Sequence, residues 1–501
     1  MFSSKCEYFD VVVIGCGPAG SVVAANLAKQ GISVLTLERH QFPRYHIGES
    51  LTGYVGDFIR EIGLEEEMER LKFPKKQGIK IIGKEAKNTI FIPTKSPTWH
   101  VRRDEFDNLL LNYAIKSGVT HRYGSVKKVF SDRTKVTGIG YKPYGSNTDL
   151  LKYIRCKIVV DASGHTTVLS KNRIAGPKQN DSFWRRHVVF TRLKYPFSND
   201  PEIEDSTNIF YSDPNTWAWL MPIAEDVVSV GVAVSENILN KYAETFEDLL
   251  HWGLNNVSVG LASKVKGCEI AEEIRVVSIF SYRVEPFTGE GWICVGDSHH
   301  SQDPIIPLGV SFAIIEAKAA SAAIAKAIET NNHSEAFAEY VQFSDNGQNR
   351  AADLIRYFWN FLPFLNYQVR GNLRKDIIRL MDGDCFTKHE LAAMTTMRQS
   401  LDKLLPHQIS SIRAREVANR IRFSNLDGID AVYLADNNPN IKLFFILSDN
   451  SPDLLEAMSD FEKTLRSDFG HKNLDISHYL PGEELPVFNE EVAIFDKKKK
   501  S

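Results

Sequence analysis

Residues 10–38, DVVVIGCGPAGSVVAANLAKQGISVLTLE, read as a strand, a glycine turn, a helix and a second strand in unbroken succession. Val11, Val12, Val13 and Ile14 form a continuous apolar run, as expected of a parallel strand buried on both faces. Gly15, Gly17 and Gly20 follow at once in the spacing G-x-G-x-x-G. In that pattern the first glycine permits a tight turn, the second lets backbone approach a pyrophosphate, and the third lets the helix press onto the strand with its first amides facing the phosphates. Glu38 ends the second apolar strand, where an acid accepts hydrogen bonds from a ribose 2′-OH. An acid there favours the unphosphorylated ribose of FAD or NAD over NADP. Strand, turn, helix, strand and acid arrive in register, so the stretch specifies a Rossmann-type dinucleotide cradle and the fold class is α/β.

Composition sets the outer limits. The chain of 501 residues is long enough for several domains, and 43% apolar with 25% charged residues is ordinary for a globular protein. Its 60 basic and 63 acidic residues leave a net charge of −3, which gives no global field for attracting nucleic acid or anionic lipid. No positively flanked apolar segment precedes the cradle and no apolar run has the length of a membrane span, so a cytoplasmic protein with neither signal peptide nor membrane partner is expected. The cysteines at 6, 16, 156, 268, 294 and 385 are scattered without metal spacing, and reduced thiols and no metal are expected.

Beyond the cradle, Phe42-Pro-Arg-Tyr-His-Ile-Gly48-Glu49-Ser50-Leu51 follows Glu38 and Arg39. Gly48 frees backbone to pass a planar ligand, and Glu49 and Ser50 can hydrogen-bond or cap the next helix. Phe73-x-x-Lys76-x-Gly78 comes next, then Val101-x-Arg103-x-x-Phe106-Asp107-x-x-Leu110, then the apolar strand Ile158–Val160 running into Asp161-Ala-Ser-Gly164. Thr216-Trp217-Ala-Trp219-Leu-Met221-Pro222 lies among β-patterned runs. Two tryptophans two apart on a strand share one face and form a rigid wall. Gly291–Gly296-Asp297 is an apolar strand ending in Gly-Asp, and Gly309 opens a helical pattern to about residue 329.

In this order the motifs resemble the flavin-dependent halogenases, of the tryptophan and phenol halogenase type, within the superfamily of FAD-binding flavoproteins that also contains geranylgeranyl reductases. The resemblance covers roughly residues 8–330. It implies FAD as cofactor, reduced by a separate flavin reductase because no second dinucleotide fingerprint exists. Gly15, Gly17, Gly20, Glu38, Arg39, Gly48, Glu49, Ser50, Arg103, Asp297 and Gly309 are then its binding residues. It makes Lys76 the residue that holds or captures hypohalous acid, although Lys75-Lys76 also reads as a solvated loop. Trp217, Trp219 and Pro222 become the wall between flavin and substrate, with Met221 in place of the usual Ile. The loop Ser301-Gln-Asp-Pro304-Ile-Ile-Pro307-Leu308-Gly309 departs from the family's F-x-x-P-x-x-S-x-G at Ser301 and Pro307, leaving the amides of Leu308 and Gly309 to hold halide. His299 and His300 lack a third ligand at metal spacing and read as supporting or surface histidines.

The expected architecture is a discontinuous FAD-binding domain (8–50, 101–175 and 285–330), a mainly β substrate-side domain (51–100 and 176–284), and a helical C-terminal region over 331–501, with Lys497–Lys500 a solvated tail. The expected function is halogenation of an electron-rich aromatic small molecule with reduced flavin, oxygen and halide. A carrier protein is a further candidate partner. A monooxygenase or reductase on the same scaffold, or a catalytically silent FAD-binding module, are the alternatives. Substrate identity, halide and oligomeric state are not legible.

Overall fold

The computed structural model describes residues 6–401 except 87–88, 134, 197–202, 204, 214–215, 236–237, 240–241 and 243, and beyond 401 it describes four strands and a few single positions. The cradle forms as its residues dictate. Strand β1 (Glu7–Ile14) lies parallel between β2 (Val34–Glu38) and β7 (Lys152–Asp161), with Val11 opposite both Val34 and Ile158. Beyond β7 come β15 (Trp292–Cys294) and the short β14 (Thr288–Gly289). Two long strands leave this sheet at one end. β5 (Thr120–Asp132) pairs with β2 through Thr120–Tyr123 and then with β6 (Lys135–Pro143), which returns to the first residues of β7.

Helix α1 (Pro18–Ala28) begins with proline in its first turn, where the missing N–H costs nothing. It packs against α4 (Gly309–Thr330), whose alanines at 313, 317, 319, 320, 322, 323, 325 and 327 keep its surface low. Helix α3 (Arg103–Lys116) packs on α1 as well.

The second sheet places β16 (His300–Ser301), β13 (Arg275–Val284), β8 (Lys178–Lys194), β11 (Val227–Val234), β10 (Thr216–Ala224), β9 (Ser206–Asp213), β3 (Lys75–Ile82) and β4 (Thr89–Trp99) side by side, with β12 (Glu269–Ile270) on β8. The excursion after the cradle thus joins the later strands: β3 runs parallel to β9, with Ile81 opposite Ile209. Alternation assigns the two faces. Ala218, Leu220, Val228, Val230 and Val232 enter a core with Leu249 and Leu250, whereas Trp217, Trp219 and Met221 face the other way.

Helices α2 (Gly53–Glu61), α5 (His333–Arg370, with non-helical Phe361) and α6 (Arg374–Met381) also belong to the first unit, which ends at Thr395. The helical expectation for the C-terminal region fails beyond it. A second unit, Thr396–Ser501, carries a four-stranded sheet of β17 (Ile429–Asn437), β18 (Asn440–Leu447), β19 (Leu474–Tyr479) and β20 (Glu491–Asp496). The run Ile441-Lys-Leu-Phe-Phe-Ile-Leu447 is rich in residues that favour a pleated surface, and the polar segment Asn437–Asn440 separates it from β17. Lys497–Lys500 lies outside the described residues.

Gly20 offers a test of the cradle's packing. Alanine normally stabilises a helix over glycine by about 0.5–1 kcal/mol, but a Cβ at Gly20 would overlap the Gly15 carbonyl and crowd Ala162. Gly20→Ala should therefore destabilise the FAD-free protein by about 1–3 kcal/mol, read as a fall in Tm; an unchanged or higher Tm would refute this packing.

Candidate active site

One cavity of about 590 Å³ is lined both by the cradle and by the tryptophans of β10. Gly15 has φ +96°, and a Cβ there would press on the Ala162 carbonyl at 2.5 Å. Gly17 differs: its Cβ position meets only Arg44 Nη2, at 3.6 Å, and the position at Gly309 meets nothing within 4 Å. Both glycines border the cavity, so the space they leave open faces the cavity rather than packed protein. Glu38 is held by backbone, its Oε2 accepting from the Cys16 amide at 3.0 Å and its Oε1 from the His40 amide at 3.1 Å. A cation beside the second glycine, amides at a helix start and an oriented acid fit the diphosphate and ribose of FAD.

Arg44 is the residue that sequence reasoning passed over. It sits within the Phe42–Leu51 stretch, with its Nε 3.9 Å from Glu38, its Nη1 3.3 Å from Asp107 and its guanidinium 4.7 Å above the Phe42 ring. Those contacts fix a positive charge next to Gly17. The signal was an arginine directly following Phe-Pro in a segment already placed near the cofactor.

Arg103 borders the cavity, yet four of its five donors are engaged with protein. Nε and Nη2 donate to Asp107 at 2.8 and 3.1 Å, and Nη1 donates to the carbonyls of Ile47 and Gly48 at 3.0 and 3.1 Å. It shapes the cofactor-side loop, and Gly48 takes φ +102° under it. Glu49 is fully buried, and its Oε1 accepts from Arg192 Nη2 at 2.8 Å. Burial raises its carboxyl pKa, against the pull of Arg192. Ser50 does not cap a helix. Thr52 is the N-cap of α2, and the Gly53 amide donates to Asp382 Oδ1 at 2.6 Å. Arg39 and Asp297 border the cavity, and Asp297 Oδ2 lies 3.5 Å from His165 Nε2.

The Lys75-Lys76 pair is no solvated loop. It starts β3, where successive side chains point to opposite faces. Lys75 is 68% exposed and 3.2 Å from Glu69, whereas Lys76 is 2% exposed. Lys76 Nζ donates to the Leu51 carbonyl at 2.7 Å and to Ser50 Oγ at 2.9 Å. Burial lowers its amine to about 7, opposed by Asp382. Ser50, which borders the cavity, stands between this lysine and the open space.

Trp217 and Trp219 share the cavity face of β10, whereas Pro222 does not. The ring centroids of Trp217 and Trp219 are 5.9 Å apart, and Trp219 Nε1 donates to Ser229 Oγ at 3.0 Å. A Cβ at Gly231, opposite Trp219 on β11, would overlap its ring, so the indole lies flat across that strand toward Phe190. Pro222 falls on the opposite face, with Ala218 and Leu220, and does not border the cavity because strand alternation turns it away. Met221 does border it.

The loop before α4 also differs from expectation. The Leu308 amide donates to the Ile306 carbonyl at 2.8 Å, closing a tight turn around Pro307. That donor is thereby used, which leaves the Gly309 amide at the head of α4, where no carbonyl of its own helix can take it. His299 Nε2 is 3.0 Å from the buried Glu316, which also accepts from the Gly296 amide, Ser344 and Gln348, each at 2.8 Å. Burial acts to raise the Glu316 pKa, but His299 and these donors outweigh it and hold it low. His299 is thus a supporting residue beneath the loop.

Residues 8–354 match the family model described as FAD binding domain. Over 401 residues, 80% of this chain and 98% of the relative, the sequence is 40% identical to a 1H-pyrrole-2-carbonyl peptidyl-carrier-protein brominase of Pseudoalteromonas luteoviolacea. The chain belongs to the flavin-dependent halogenases. A 1H-pyrrole-2-carbonyl peptidyl-carrier-protein chlorinase of Pseudomonas fluorescens is 28% identical to it over 78% of this chain and 92% of the relative. The solved flavin-dependent brominase Bmp2 superposes with TM-score 0.76 at 40% identity, covering 79% of this chain and 98% of that one. This halogenase is an FAD-dependent oxidoreductase that uses reduced flavin, oxygen and halide to halogenate an aromatic substrate. No helix among its described residues is long and apolar enough to cross a membrane.

The lowered Lys76 pKa makes a stability prediction. Between about 7 and the ordinary value of 10.5, the unfolded chain binds a proton at this site that the folded chain does not, so folding gains stability as pH rises through that window. Lys76→Met lacks that gain. Its Tm minus that of the wild type should fall as pH is raised from neutrality toward 9, and a constant difference would show that Lys76 keeps its proton.

Proposed function

We propose that this halogenase brominates a pyrrole-2-carbonyl group presented on a peptidyl carrier protein, with Lys76 as the residue that handles the oxidised halide. The observation that carries the substrate is the 40% identity spanning 98% of the carrier-protein brominase. Trp217, Trp219 and Met221 give the cavity an apolar wall on the β10 side.

FAD, reduced by a separate reductase, supplies the oxygen activation that turns halide into an electrophile. The chain's own residues divide the remaining work. The Gly309 amide, at the positive end of α4, holds the halide anion; the Leu308 amide, already bonded to Ile306, does not take part. The tryptophans keep the aromatic away from the flavin side and exclude water. Lys76 has two of its hydrogens on Ser50 and the Leu51 carbonyl, so the third is free to bond one oxygen or, with the amine near neutrality, the nitrogen is free to accept halogen.

Mass spectrometry tests the substrate. With FAD, a flavin reductase, oxygen and bromide, pyrrole-2-carbonyl carrier protein should gain bromine while free pyrrole-2-carboxylate does not. Equal turnover of the free acid, or chlorination in preference to bromination, would sink the assignment.

The lysine has its own test. Lys76→Ala should keep FAD binding and hydrogen peroxide formation while brominated product falls by ~10²–10⁴, the usual worth of a positioned acid or base. Lys75→Ala, on the exposed face of β3, should match wild type; equal loss in both would remove Lys76 from the mechanism.

A further inference from the structure

Behind the cavity wall a single row of hydrogen bonds crosses four separate segments. Lys76 Nζ lies 2.9 Å from Ser50 Oγ, Ser50 Oγ lies 2.7 Å from Thr207 Oγ1, and Thr207 Oγ1 lies 2.8 Å from His100 Nε2. Every member is buried: Lys76 is 2% exposed, Ser50 5%, Thr207 3% and His100 0%. The backbone fixes their spacing. Ser50 and His100 form an isolated antiparallel bridge, the His100 amide donates to the Pro74 carbonyl at 2.8 Å, and Thr207 stands opposite Ile79 on β3. Ser50 and Thr207 both border the cavity, while Lys76 and His100 lie behind them.

We propose that His100 is a positioning residue for Lys76, acting through Thr207 and Ser50. The inference rests on the reading of Lys76 given above. In its protonated form Lys76 has hydrogens but no lone pair, so the ammonium can only donate into Ser50. Ser50 then passes its own hydrogen to Thr207, and Thr207 passes its hydrogen to His100 Nε2, which must be the bare nitrogen of a neutral imidazole. A hydrogen on Nε2 would strand one of the two hydroxyl hydrogens without an acceptor. The row therefore has one polarity, set at its far end by the tautomer of His100. That polarity keeps the Ser50 lone pair turned to Lys76, and it holds the ammonium in one orientation with its third hydrogen free.

The surroundings keep the His100 ring neutral. Burial, and then the charge of Lys76, lower its pKa well below the ordinary histidine value, so the ring stays neutral. In the tautomer with a bare Nε2, Nδ1 carries the hydrogen and is buried without a hydrogen-bond partner among the described residues, so Nε2 is the ring's one polar contact in the row. The other charges that face the cluster are Asp382, after α6, which acts on Lys76, and Lys95 on β4, which acts on Asp382. The charge of Lys76 also acts on His100 directly, and the hydrogen-bonded path between them runs along the two hydroxyls.

Paired substitutions in the holoenzyme test this, with brominated pyrrole-2-carbonyl carrier protein per hydrogen peroxide formed as readout. Thr207→Val keeps shape but cuts the row, and His100→Phe removes its end. Each should lower that ratio by about tenfold or more while FAD binding and peroxide formation stay at wild-type levels. Thr207→Ser, which restores the hydroxyl, and His100→Gln, whose amide oxygen can accept from Thr207, should recover most of it. A wild-type ratio in Thr207→Val and His100→Phe, or no rescue by either conservative variant, would overturn the proposal. Lys76→Ala separates the two readings. If it brominates normally, the role of Lys76 itself fails; if it is inactive while Thr207→Val is unimpaired, only the positioning role of His100 fails.

Discussion

The contact of the Gly15 turn with Ala162 and with Gly20 is the constraint on which the rest of this structure depends. A Cβ at Gly15 or Gly20 would overlap atoms of the neighbouring turn, so β1, α1 and the end of β7 can approach only because both positions are bare. The Ala162 amide then donates to the Ile14 carbonyl, and Val295 donates to the Asp161 carbonyl. Three segments far apart in sequence thereby meet at one edge of the cavity. The Asp161 carboxylate is consumed in the same way, accepting from the amides of Ser163 and Leu169 at 2.9 and 2.7 Å.

A second principle governs the polar groups around the cavity. Burying charge is expensive unless each group finds partners, and the site answers with layered contacts. Asp107 takes Arg103 and Arg44, Glu49 takes Arg192, and Glu316 takes His299 with three neutral donors. Much of what looks like ligand-binding machinery in the motifs thus fixes the loops that surround the ligand space. Lys76 is the contrasting case. It has two neutral partners and no carboxylate in direct contact, so desolvation is left largely uncompensated and its amine is lowered to about 7. Its proton is thereby held less tightly than on a solvated lysine.

The motifs made the cofactor cradle readable because backbone conformation there is dictated by residue type. Gly15 at positive φ, proline in the first turn of α1 and an acid at the end of β2 each carry a local physical requirement. The tryptophan wall was readable for a similar reason, since period-2 alternation puts Trp217 and Trp219 on one face whatever surrounds them. Pro222 was misassigned through neglect of that same rule. The strands after residue 428 were missed because their short apolar runs lie among charged, helix-compatible sequence.

The sequence by itself therefore determined the α/β class, the dinucleotide cradle, the paired tryptophans and the residue type at position 76. Tertiary structure decided what those side chains do. That Arg103 clamps a loop, that Leu308 is already bonded to Ile306, and that Asp382 closes the N-terminus of α2 from 329 positions away are outcomes of three-dimensional proximity. So is the joining of Lys76, Ser50, Thr207 and His100 into one row. Hydrogen-bond partners and desolvation depend on distances through space, and local residue patterns encode only the backbone conformations and faces from which such distances arise.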